Sequence, residues 1–175
     1  MTIRRATAAL ATFAATTALS FTAAPAATAA DATAADATAA DATAADASVA
    51  EYGCSGSLID TYPVRTSAGT TYGQIRLYYN SSTRRNCAVT LKNATGGYGT
   101  SSYASVTLYR CSTSKPGAQC DWRDETWDDD YGNFLYYAGP VSISAAGKCI
   151  RVFGQVSANR PIATGDSGTG GVHCG

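Results

Sequence analysis

The chain has 175 residues, and its 13 Lys and Arg are balanced by 13 Asp and Glu, giving a formal net charge of +0. That balance excludes the strong basic field with which nucleic-acid-binding proteins gather phosphates. With one His and six Cys, a zinc centre is also disfavoured, because cysteines consumed in disulfides leave no ligand set.

Residues 1–29 read as a secretory signal peptide. Arg4 and Arg5 precede an apolar run from Ala6 to Ser20, and Ala24-Pro25-Ala26 offers a small-residue cleavage pattern. The run is too short and too rich in Ala and Thr to span a bilayer well. No later stretch could cross one either, so the mature protein is expected to be secreted and to have no membrane segment. Residues 30–50 form a low-complexity spacer in which Ala-Asp-Ala-Thr-Ala recurs, with Asp31, Asp36, Asp41 and Asp46 at a period of five. That period leaves no apolar stripe on a helix, and Ala and Thr supply too little bulk for a core, so disorder is expected.

Residues 51–175 carry all eleven Tyr and both Trp. They have the length of one small domain. Period-two alternation recurs along it. Ile75, Leu77 and Tyr79 alternate with Gln74, Arg76 and Tyr78; Cys87, Val89 and Leu91 with Ala88, Thr90 and Lys92. Val106 and Leu108 alternate with Thr107 and Tyr109, Val141 and Ile143 with Ser142 and Ser144, and Ile150, Val152 and Gly154 with Arg151 and Phe153. Such alternation predicts half-buried strands. Clusters of Gly, Ser and Asn at 80–83, 93–99 and 145–147 mark the turns between them. Short strands at this spacing predict an all-β domain, a small disulfide-stapled antiparallel sandwich or barrel.

All six cysteines, Cys54, Cys87, Cys111, Cys120, Cys149 and Cys174, lie in this domain. In an exported chain they form a disulfide framework whose connectivity spacing alone does not settle. One pair is favoured by the residues: Cys111 and Cys120 bracket a segment with the turn signal Pro116-Gly117. Cys174 is expected to tie down the C-terminal tail.

Four segments carry a resemblance to a known family. They are Tyr78-Tyr79-Asn80-Ser81, Asn86-Cys87-Ala88-Val89-Thr90, Tyr137-Ala138-Gly139-Pro140-Val141 and Gly147-Lys148-Cys149-Ile150. Across roughly 69–152 the chain resembles the spore-associated protein A family and related small secreted proteins of filamentous actinobacteria. The resemblance implies a small exported β-rich protein with four cysteines, at the cell or spore surface, and carries no catalytic residue. This chain adds Cys111 and Cys120 and an acidic stretch around Trp122 to Asp130. With the added cysteines paired together, the resemblance implies Cys54–Cys87 and Cys149–Cys174 for the remaining four.

Candidate chemistry is sparse. Gly165-Asp166-Ser167-Gly168 matches the segment around the nucleophile of trypsin-like proteases, but His173 follows it and no upstream base exists to activate the serine. In the acidic stretch, Asp128, Asp130 and Gly132 echo the start of a calcium loop without its closing glutamate, so Asp128 and Asp130 are weak Ca²⁺ candidates. The ordinary alternative is a solvated hairpin tip whose charges keep a strand edge soluble. Trp122, Trp127 and Tyr131 could stack on sugar rings, or simply pack on a half-buried sheet. Lys115 stands in the Cys111–Cys120 loop as a protease-inhibitor candidate, with Pro116 restricting its backbone and arguing against that role. No nucleotide-binding unit is present, and no cofactor is expected. Asn80 and Asn93 match the glycosylation pattern. The expected function is that of a secreted, non-enzymatic β-domain protein of the cell or spore surface. The alternatives are an extracellular module binding glycan or Ca²⁺, or a protease inhibitor. The expected partners are cell-wall or spore-surface components or glycans.

Overall fold

The computed structural model describes residues 50–120, 126–158 and 160–175. The expected signal peptide, all of the expected spacer except Ala50, and Trp122 lie outside the described residues.

Eight strands follow one another: β1 (Ser57–Thr66), β2 (Thr71–Asn80), β3 (Arg85–Lys92), β4 (Ser102–Arg110), β5 (Trp127–Phe134), β6 (Tyr137–Ser144), β7 (Ile150–Ser157) and β8 (Ala163–Asp166). No helix occurs among the described residues. All pairings are antiparallel, in the order β5-β4-β7-β8-β1-β2-β3-β6. The sheet curls until its two end strands, β5 and β6, meet without a backbone ladder between them. The result is a nearly closed barrel stapled by disulfides, the all-β architecture that the alternation predicts.

The alternation works as the pleat requires. On β7, Ile150, Val152, Gly154 and Val156 are buried, while Arg151, Phe153 and Gln155 are partly exposed. Val106 and Leu108 of β4, Ile75 and Leu77 of β2 and Val141 of β6 join them in one core. Each fully buried Val, Leu or Ile contributes about 1.5–3 kcal/mol relative to exposure. Gly154 sets the closest approach across this core. A Cβ there would lie 2.3 Å from Thr90 Oγ1 and 2.8 Å from Ile75 Cγ1, so only glycine lets β7 settle against β2 and β3.

Simple alternation breaks on β3, where Asn86 to Thr90 are all buried, and on β2. Tyr79, expected to share the face of Ile75 and Leu77, is 36% exposed, while Tyr78 on the other face is only 2% exposed. The cause is a second, smaller core outside the barrel wall. There Tyr52, Cys54 and Tyr137 pack over Tyr78, Cys87 and Val89. Tyr52 meets Tyr137 edge to face at 5.3 Å. Glu51 pairs with Arg76 and accepts the Tyr78 hydroxyl at 2.9 Å. The Cys54–Cys87 disulfide fixes this segment to β3.

Lys92 plugs one end of the barrel. It is 2% exposed, and no carboxylate among the described residues partners it. Its ammonium donates instead to the Thr100 and Phe134 carbonyls, at 2.7 and 2.8 Å, and to Ser102 Oγ at 2.8 Å. Three acceptors satisfy its three protons, and burial draws its pKa below the ordinary lysine value. The loop from 93 to 101, the start of β4 and the end of β5 are thereby gathered onto one side chain.

Candidate functional site

The acidic strand β5 divides its aspartates by strand parity. Asp128 and Asp130 stand opposite Leu108 and Val106 of β4, which are core residues, and so share the inward parity of the strand. Asp130 Oδ2 accepts the Gly139 N–H and Asp128 Oδ2 accepts the Ser142 N–H, both at 2.7 Å. These two Ca²⁺ candidates therefore bridge the seam between β5 and β6. Among the described residues, no group of three or more His, Cys, Asp or Glu is arranged to hold a metal ion.

The opposite parity points outwards. Trp127, Asp129 and Tyr131 stand opposite Tyr109, Thr107 and Ser105 of β4, which stand in turn opposite Arg151, Phe153 and Gln155 of β7. Trp127 is 57% exposed and Tyr131 68%. Beside them opens a cavity of about 360 Å³ lined by Tyr109, Cys120, Arg151 and Phe153. Arg151 Nε is buried, with no hydrogen-bond partner among the described residues. Strand parity alone could have grouped Trp127, Asp129 and Tyr131. The partners on β4 and β7 needed the interstrand register.

A third cluster joins residues far apart in the chain. The Tyr62 hydroxyl donates to Asp60 Oδ2 at 2.8 Å, and His173 Nε2 lies 3.1 Å from the same oxygen. Burial alone would raise the Asp60 pKa, but hydrogen bonds from Tyr62, the Thr61 N–H and His173 together hold it below the ordinary carboxylate value. The Tyr62 phenol is pushed well above its ordinary value by burial and then by its bond to Asp60. His173 and Tyr79 border a neighbouring cavity of about 240 Å³. The cluster anchors the C-terminal segment to β1. Ser167 Oγ accepts the Val152 N–H at 3.1 Å, and Asp166 accepts the Gly168 N–H. The Gly-Asp-Ser-Gly segment is thus the end of β8 and the bend after it, held against β7, and its serine and the histidine serve different contacts.

The remaining candidates lie in loops. Disulfides join Cys54 to Cys87, Cys111 to Cys120 and Cys149 to Cys174, and no cysteine is free. The Cys111–Cys120 loop pairs with the C-terminal segment: Gly117 N–H donates to the Gly171 carbonyl, Gly171 N–H to Ala118 and Cys120 N–H to Thr169. Lys115 sits at its exposed turn, its N–H on Thr113 Oγ1. Asn93 is committed on both ends of its amide, donating to the Thr71 carbonyl and accepting the Gly96 N–H. Asn80 donates to Ser55 Oγ and accepts the Thr83 N–H.

The chain is similar to spore-associated protein A of Streptomyces coelicolor, with 34% identity over 104 residues that make up 59% of this chain and 55% of that protein. The relation expected from the strand and cysteine motifs is thus present in the sequence match. The chain spans about half the length of the curated relative it matches. No family model matches the chain, and no solved structure matches it significantly.

Proposed function

We propose that this chain is an exported structural protein of the cell or spore surface, with no enzymatic role. The observation that carries the reading is the similarity to spore-associated protein A in a barrel whose six cysteines are all bridged. Stable disulfides persist in oxidising compartments and are rare in the cytosol. The basic, apolar and small-residue order of residues 1–29 supports export by the same logic. A non-enzymatic role is supported by the separate engagements of Ser167 and His173.

The test is immunogold labelling of intact producing cells and their spores, with N-terminal sequencing of the extracellular form. Label at the outer surface and a mature N-terminus beyond Ala26 are expected, given the Ala24-Pro25-Ala26 cleavage pattern. Label confined to the cytoplasm, or a start at Met1, would overturn export. Substrate turnover abolished by a point mutation would overturn the non-enzymatic role.

A further inference from the structure

We infer that the outer face of β5, β4 and β7 is a binding surface for an uncharged polysaccharide chain. Trp127 and Tyr131 are more than half exposed, at positions where burial would have been favourable. Both belong to the outward parity of β5, so their rings lie on the same surface about 13 Å apart along the strand. Tyr109 stands beside Trp127 in register, and Phe153 lies one strand further on. Aromatic faces spaced along a strand suit the apolar faces of successive pyranose rings.

The polar groups between the rings supply the other half of sugar recognition. Asp129 lies between Trp127 and Tyr131 on the strand, and its carboxylate is an acceptor for sugar hydroxyls. Across β4, Arg151 lines the 360 Å³ cavity with Tyr109 and Phe153. Its Nε is buried and lacks a partner, a cost that a ligand oxygen would remove. Apolar walls with a few converging polar groups describe a small-ligand site. Among the described outward residues of these three strands, Asp129 and Arg151 are the one acid and the one base. Their charges cancel, so the face selects neither a polyanion nor a polycation.

The inference extends the surface role proposed above only in naming what is met there; binding is measured in solution, so either can fail alone. The purified full chain is titrated calorimetrically with cellohexaose, chitohexaose, laminarin and soluble starch, with hyaluronan as the anionic comparison. Saturable binding to at least one uncharged glycan is expected. Trp127→Ala and Tyr131→Ala should each weaken it roughly tenfold or more, as large aromatic contacts do, and Trp127→Phe should recover part of the loss. Arg151→Met should weaken it while leaving the aromatic row intact. Tyr79→Ala, which removes an exposed ring from β2, should bind as the parent does. No binding to any uncharged glycan, binding to hyaluronan alone, or parental affinity in the Trp127→Ala, Tyr131→Ala double variant would each overturn the inference. So would a dimer in sedimentation that dissolves on Trp127→Ala, because the face would then belong to a second copy.

Discussion

The carboxylate of Asp130 accepts the backbone N–H of Gly139 at 2.7 Å, across the seam where β5 and β6 form no ladder. An end strand exposes unpaired N–H groups that invite pairing with other chains. Here β6 has two of its donors capped by side chains of β5. Side-chain caps let the barrel close where the two end strands do not pair, and they blunt the β6 edge.

Asp130→Ala should therefore destabilise the fold by about 1–2 kcal/mol, since it removes a charged acceptor from a partly buried donor. Asp128→Ala should cost less, because water can reach the exposed Ser142 N–H. Asp129→Ala should stay within about 0.5 kcal/mol of the parent. Urea denaturation of the three variants measures this, and equal effects would refute the seam role. A melting temperature raised selectively by Ca²⁺, and not in the Asp128→Asn, Asp130→Asn variant, would assign these groups to a cation instead.

Lys92→Met keeps the length of the side chain but removes the donor to Thr100, Ser102 and Phe134. Orphaned buried acceptors should lower stability by about 1–3 kcal/mol. Amide exchange should also quicken in the 93–101 loop, which the ammonium gathers. Unchanged exchange there would show that the loop is held by other contacts.

Gly154→Ala should be among the most damaging single-atom additions. Its Cβ would collide with Thr90 Oγ1 and Ile75 at 2.3 and 2.8 Å, so β7 must retreat, at about 1–3 kcal/mol. Relieving the clash with Thr90→Ala should recover part of the loss, and thermal melts of the single and double variants decide it.

Removing Cys54–Cys87, which closes 33 residues, should cost roughly 3.7 kcal/mol in the chain-entropy view. Removing Cys111–Cys120, which closes 9 residues, should cost roughly 2.5 kcal/mol. Paired Cys→Ser variants compared by denaturant titration test the order. The reverse ranking would mean that native contacts of the small loop, rather than loop closure, dominate.

Alkaline stability should depend on Tyr78. Burial, and then its hydrogen bond to Glu51, push the phenol up to about 12 from an ordinary value of 10.0. A group whose folded pKa is raised stabilises fully below its unfolded pKa and loses that contribution as pH rises towards the folded one. Stability should thus fall between about pH 10 and pH 12, and Tyr78→Phe should flatten that part of the curve. An identical alkaline slope in the variant would place the titration elsewhere.

Much of the barrel could be read from strand alternation, because the pleat imposes a period of two on any half-buried strand. The core positions Val106, Leu108, Ile150 and Val152 were visible in this way, as was the opposition of Asp129 to Asp128 and Asp130. Relation to the spore-associated proteins was carried by short local motifs. Tyr78 misled the pattern because a segment from before β1 covers the outside of β2, and alternation says nothing about what lies over a strand. Nor could it pair Asp60 with His173, 113 residues away, place three acceptors around Lys92, or set Arg151 beside Tyr109 and Trp127. Those neighbours follow from the register of strands distant in the chain and from the curl that brings β5 to β6. Both are settled by the whole sheet burying its apolar face at once, a condition that no local stretch of residues contains.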